Sequence, residues 1–82
     1  MSDTDRRRRL HDLDVTVWVG KKGIDAVSDE LTSQLDDREF VKVKFHRSAI
    51  GRGTTDDVAA DLADAVDATL VRTRGNTAIY ET

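Results

Sequence analysis

The sequence predicts an α/β domain, a compact two-layer or sandwich arrangement around one four-stranded mixed sheet, in the order (α)-β-α-β-α-β-β. Three observations carry this prediction. Val15, Val17 and Val19 alternate with Thr16 and Trp18, and Val41, Val43 and Phe45 alternate with Lys42 and Lys44, the period of two that a half-buried strand needs. Between and after them the period becomes helical, with Ile24, Val27, Leu31 and Leu35 on one stripe and Val58, Leu62, Ala65 and Val66, widened by Ala59, on another. The chain closes on Thr69 to Arg74 and Thr77 to Glu81 around Gly75-Asn76, two short β-favouring runs joined by a tight turn.

Taken in order, Arg6 to Arg9 form a basic run before Leu10 and Leu13, readable as a short helix or a flexible arm. This divides the chain into a polar, basic arm over 1–9 and a single domain over 10–82. The first strand ends at Gly20. Trp18 points away from its valine face, so something must cover it, and Leu10 and Leu13 are the expected cover. The first long helix begins at Ile24, with Asp25 in the turn where a carboxylate is favoured, and stops near Asp36-Asp37. Phe40, Lys42, Lys44 and His46 share the face of the second strand opposite Val41, Val43 and Phe45. Arg47 to Gly53 contains Gly51-Arg52-Gly53 and reads as a mobile loop. Thr54 or Thr55 caps the next helix, with Asp56 and Asp57 near its positive end. Strands joined through helices are expected to be parallel neighbours or one removed, and the final hairpin is antiparallel.

Length and composition set bounds. Eighty-two residues make one domain with one core. No apolar run is long enough to cross a bilayer, and the Met-Ser-Asp-Thr start lacks the apolar stretch of a secretory signal. The absence of cysteine excludes a disulfide framework and thiolate metal sites and fits a cytoplasmic protein. The net charge of -3 runs against nucleic-acid binding, but the distribution matters more than the sum. Most acids are Asp and lie on helix surfaces and caps, and most bases are Arg. An Asp-rich, Lys-poor surface is expected of a protein from a salty cytoplasm, where screening removes much of the self-repulsion of surface anions. Against that background the four lysines, Lys21, Lys22, Lys42 and Lys44, stand out.

Two of them lie in Gly20-Lys21-Lys22-Gly23, a G-x-x-G loop between a strand and a helix. Such a loop can present backbone N–H groups at the positive end of a helix, with small residues that admit another backbone. Its functional reading is a clamp on a sugar-phosphate stretch of single-stranded or irregular RNA; its plain reading is a turn that needs glycine for its dihedrals. Lys42 and Lys44 are either a solvated strand face or a continuation of that clamp. Arg72 and Arg74 repeat the spacing on a later strand, and register decides whether the pairs form one stripe. Arg47 and Arg52 are further candidates in their loop. Among the aromatics, Phe40 shares the lysine face and is the candidate for base stacking, while Trp18, Phe45 and Tyr80 read as core. His11 and His46 are far apart and without cysteine partners, so no metal site is expected. Asp36-Asp37 and Asp56-Asp57 are explained by helix ends. Ser28, Ser33 and Ser48 lack a nucleophile context, so neither catalysis nor a cofactor is expected.

The blocks Val-Trp-Val-Gly-Lys-Lys-Gly-Ile24, Arg38-Glu-Phe-Val-Lys-Val-Lys44 and Gly75-Asn-Thr-Ala-Ile-Tyr80, in this order and spacing, resemble the CRM domain, also called the YhbY-like RNA-binding domain. The likeness runs from about Leu10 to Tyr80 and is of a stand-alone, archaeal-type member adapted to high salt. It implies a fold similar to the C-terminal domain of bacterial translation initiation factor three, with the G-x-x-G loop serving as in KH domains. It also implies a non-catalytic protein acting on ribosomal RNA during large-subunit assembly, with Gly20, Lys21, Lys22 and Gly23 as the loop and Lys42 and Lys44 as the basic strand; a monomer is expected. The sequence departs from the family in its short lead before the first strand. Two other readings stay open: an Alba-type chromatin protein, which also places Gly-Lys-Lys after its first strand, dimerises and binds duplexes; and an acidic protein-interaction subunit whose loop is only structural.

Overall fold

The computed structural model describes residues 3–82. Helix α1 (Asp3–His11) leads into strand β1 (Val15–Val19); a single 3₁₀ turn (Ile24–Ala26) and helix α2 (Ser28–Asp37) follow. Strand β2 (Val41–Phe45), one helical turn α3 (Arg47–Ile50), helix α4 (Thr55–Val66) and the hairpin β3 (Thr69–Arg74) and β4 (Thr77–Glu81) complete the chain. The expected mixed sheet is present, in spatial order β1-β2-β4-β3. β1 and β2 are parallel neighbours, and β4 lies antiparallel between β2 and β3. The α4 crossover therefore carries the chain from β2 to a strand one removed from it.

The alternation seen in the sequence sorts side chains between the two faces of this sheet. Val17, Val19, Val41, Val43, Phe45, Ala78 and Tyr80 pack beneath Leu31 and Leu35 of α2 and Ala59, Leu62 and Ala63 of α4. Tyr80 is fully buried, and its hydroxyl donates to the Ala59 carbonyl at 2.7 Å, which ties β4 to α4. Burial pushes its phenol well above the ordinary range, because phenolate would lose its hydration. On the opposite face a smaller cluster of Leu10, Phe40 and Ile79, with Leu13 and Val71, holds α1 to the sheet. An Arg9–Glu39 ion pair adds to that attachment.

Several expectations need correction. Of the two alternatives for the basic run the helix is found, since residues 3–11 form α1, while Met1, Ser2 and the side chains of Asp3, Thr4 and Arg6 lie outside the described residues. The helix expected from Ile24 starts at Ser28. The Ser28 hydroxyl donates to the Ile24 carbonyl at 3.0 Å and Val27 N–H donates to the same oxygen at 3.1 Å, which closes a separate 3₁₀ turn. In α4, Ala65 is exposed and Ala63 takes its place, since Ala59, Leu62, Ala63 and Val66 make the tighter helical stripe. Thr54 is the cap; its hydroxyl accepts from Asp57 N–H at 3.2 Å while the Asp57 carboxylate accepts from Thr54 N–H at 3.3 Å. The segment read as a loop from Arg47 contains the turn α3, whose Ala49 and Ile50 pack on the main core. In β1 a bulge between Val15 and Val17 puts Val15 in register with Lys42 and leaves it outside the core. Thr16, the inserted residue, donates from its hydroxyl to the Gln34 side chain on α2 at 2.5 Å.

Candidate nucleic-acid interface

Because β1, β2 and β3 run the same way and β4 runs against them, one end of the sheet collects three connections. These are the Gly20–Gly23 loop after β1, the start of α3 after β2, and the Gly75-Asn76 turn between β3 and β4. Backbone bonds fasten them together: His46 N–H donates to Val19 O at 2.8 Å and Phe45 N–H to Asn76 O at 2.7 Å. Ligands in open α/β sheets gather at the carboxyl ends of parallel strands, and this is that end.

The loop itself is a closed turn, with Gly23 N–H donating to Gly20 O at 2.9 Å. Lys21 and Lys22 are exposed at its tip. The expectation that it stands at the positive end of a helix is not met: Gly23 precedes only the 3₁₀ turn, and α2 starts five residues later. Any anion held here is therefore held by loop amides and lysine charge rather than by a helix dipole. The two glycines differ. Gly23 has φ 79° and ψ −172°, a region essentially reserved for glycine, so the fold requires it. Gly20 has no positive φ, and a Cβ built on it meets nothing within 4 Å. Nothing within the fold explains glycine at position 20.

Register settles the question left open for the arginines. Lys44 pairs with Trp18 on one side and Thr77 on the other, and Thr77 pairs with Arg74. One row thus reads Trp18, Lys44, Thr77, Arg74 across all four strands. The next row holds Lys42, Ile79 and Arg72. Paired residues stand on the same side of a ladder, so both basic pairs share the face that carries α1. Among the described residues none of these four cations has an ion-pair partner. The charge of the domain divides by side: every charged residue of α2 and α4 is acidic, while the strands carry these four bases and one acid, Glu81. The net charge of -3 therefore describes mostly the helical side.

The remaining candidates separate. Arg47, exposed at the first position of α3, lies next to the loop through the His46–Val19 bond. Arg52 sits in the turn leading to α4, outside the ladder rows. Phe40 is 5 % exposed and belongs to the α1 cluster, so it cannot stack on a base. Trp18, by contrast, is 55 % exposed and uncovered by Leu10 or Leu13. Leu10 lands on Phe40 and Ile79, and Phe40 lies four residues before Lys44, roughly 13 Å along the strand from the Trp18 row. Sequence reasoning also passed over His11. With Lys42, Arg72, Arg74, Thr77 and Ile79 it lines a groove of about 180 Å³ between the end of α1 and the sheet. For Trp18 the signal was strand parity, which turned it away from the valine face although it was read as core; His11, on a helix, carried no such signal.

Among the described residues no group of three or more His, Asp or Glu side chains is placed to hold a metal, and no helix is long and apolar enough to cross a membrane.

Comparison with known proteins agrees with this architecture. A Staphylococcus aureus protein of solved solution structure, described as hypothetical and taken to bind RNA, superposes with a TM-score of 0.73 over 92 % of this chain and 77 % of its own, at 24 % identity. At that identity the likeness establishes the fold. A protein of Methanocaldococcus jannaschii, named a probable RNA-binding protein, is 37 % identical over 70 residues, which is 85 % of this chain. The chain spans about half the length of that curated relative, 52 %. The CRS1 / YhbY (CRM) domain matches residues 3–80, which takes in every helix and strand but the last residue of β4. On that match the chain belongs to the CRS1 / YhbY (CRM) domain family.

Proposed function

We propose that this chain binds single-stranded or irregular RNA without catalysis, as a monomer, through the Gly20–Gly23 loop, the Arg47 corner and the basic face of the sheet. The observation that carries the reading is the register. It gathers Lys42, Lys44, Arg72 and Arg74 on one side, while every charged residue of α2 and α4, on the other, is acidic. Phosphate contacts need such a local surface, whatever the overall charge. Family membership and the name of the archaeal relative point the same way and set the Alba-type reading aside. An acidic docking subunit would use the side of α2 and α4 and would have no need of the cationic rows on the other.

The RNA proposed is ribosomal RNA of large-subunit precursors in the cytoplasm, as the family resemblance implies for stand-alone members. Crosslinking in cells followed by sequencing of the attached RNA is expected to enrich large-subunit ribosomal RNA. A scattered or transfer-RNA-dominated profile would count against the assembly role, and recovery of protein partners unaffected by ribonuclease would count against RNA binding itself.

A further inference from the structure

We propose that the uncovered half of the sheet is a nucleotide subsite in which Trp18 stacks an unpaired base and the groove beside His11 seats a backbone phosphate. This rests on the RNA-binding reading and specifies how the strand is held beyond the loop. Trp18 is the one large hydrophobic side chain exposed among the described residues, and it stands in register with Lys44. Its row continues through Thr77 to Arg74, three inter-strand spacings or roughly 14 Å, which is room for a few nucleotides crossing the sheet. At the α1 side of that path His11, Lys42, Arg72 and Arg74 converge on the groove, and no acid lines it among the described residues.

The chemistry selects the occupant. An apolar protein partner would want a contiguous greasy patch, whereas here a lone indole is set among cations, which is the pattern of an aromatic platform with a backbone-tracking groove. Every base has a π-face, so stacking on Trp18 is tolerant of sequence. It does require that face to be free, which duplex RNA does not allow. The subsite therefore makes the domain prefer unpaired RNA. The Gly20–Gly23 loop starts two residues after Trp18, so a strand leaving the indole enters the loop directly.

Trp18 is the sole tryptophan, so its emission reports on the subsite without a label. Titrating the purified full chain with oligouridylate is expected to quench that emission, and a duplex RNA of equal length is expected to leave it nearly unchanged. Trp18→Leu is expected to weaken oligouridylate binding about tenfold, with Trp18→Phe retaining most of the affinity and thermal unfolding unchanged in both. Arg74→Glu tests the same path from its far end and is expected to lose a similar factor. Binding that depends on Lys21 and Lys22 but leaves both the emission and the Trp18→Leu affinity unmoved would overturn the subsite while sparing the RNA reading. Absence of any RNA binding by the unaltered chain would overturn both. Emission that changes with protein concentration alone would show the patch to be a self-association surface and would also overturn the proposal.

Discussion

Reversing both loop charges, Lys21→Glu with Lys22→Glu, is expected to lower affinity for single-stranded RNA about 100-fold and to leave the unfolding temperature where it was. Both side chains are exposed at the tip of a turn closed by the Gly23–Gly20 backbone bond, so the fold does not use them. A charge-assisted hydrogen bond contributes on the order of 1.5 kcal/mol at the low end, and removing two costs about 3 kcal/mol, or two powers of ten. The slope of log affinity against log salt should fall by about two, one unit for each phosphate no longer neutralised. Gly20→Ala is the gentler companion: it fits without strain, so stability should stay within about 0.5 kcal/mol while RNA affinity drops as the new methyl blocks the approaching backbone. Gly23→Ala separates from it by costing about 1–3 kcal/mol of stability, because the backbone there is one that only glycine adopts easily. Fluorescence anisotropy with labelled RNA and thermal melts measure both quantities, and a loop variant that binds as well as the original would remove the loop from the site.

Phe45→Ala is expected to be the most damaging single change to the fold, costing about 3–5 kcal/mol. Phe45 is fully buried at the end of β2, and its N–H holds the Asn76 carbonyl next to the point where His46 holds Val19. A chain of this length has a total stability of only about 4–12 kcal/mol, so the loss is a large share of it. The melting temperature should fall on the order of 15 °C or more. The cavity would also loosen the anchorage of all three connections, so RNA affinity should fall even well below the melting point. A drop of only a few degrees would mean that the core is less dependent on this layer than its burial implies.

What could be read in advance was whatever depends on local period. The alternation of Val41 to Phe45 gave the strand and both of its faces, and the stripe from Ile24 to Leu35 gave the helix face even though a serine hydroxyl split its first turn from the rest. The start of α4 was narrowed to Thr54 or Thr55, and the reciprocal bonds between Thr54 and Asp57 decide for Thr54. What could not be read was set by long-range register and by where α1 lands. The bulge at Thr16 is invisible in a run that alternates perfectly, and it is what withdraws Val15 from the core. The union of Lys42 and Lys44 with Arg72 and Arg74 required knowing that β4 enters between β2 and β3 and that Val71 is the residue skipped in the ladder. The exposure of Trp18 depended on a distance no spacing rule contains: Leu10 reaches Phe40 and Ile79 and stops there. In α4 the choice between Ala63 and Ala65 was ambiguous because alanines lie on both sides of the stripe and carry too little hydrophobic contrast to mark it.

On the proposed reading RNA lies on the side of the sheet opposite α2 and α4, from the Gly20–Gly23 loop across to Arg74. Amide chemical-shift mapping with single-stranded RNA on the isotope-labelled chain tests it most directly. The largest changes should fall on the Gly20–Gly23 amides, Trp18, Lys44, Arg74 and the Gly75-Asn76 turn, together with the Trp18 indole N–H, while the exposed faces of α2 and α4 stay still. Shifts concentrated on Asp29, Glu30, Asp61 and Asp64, with the loop and the basic rows unmoved, would contradict the account.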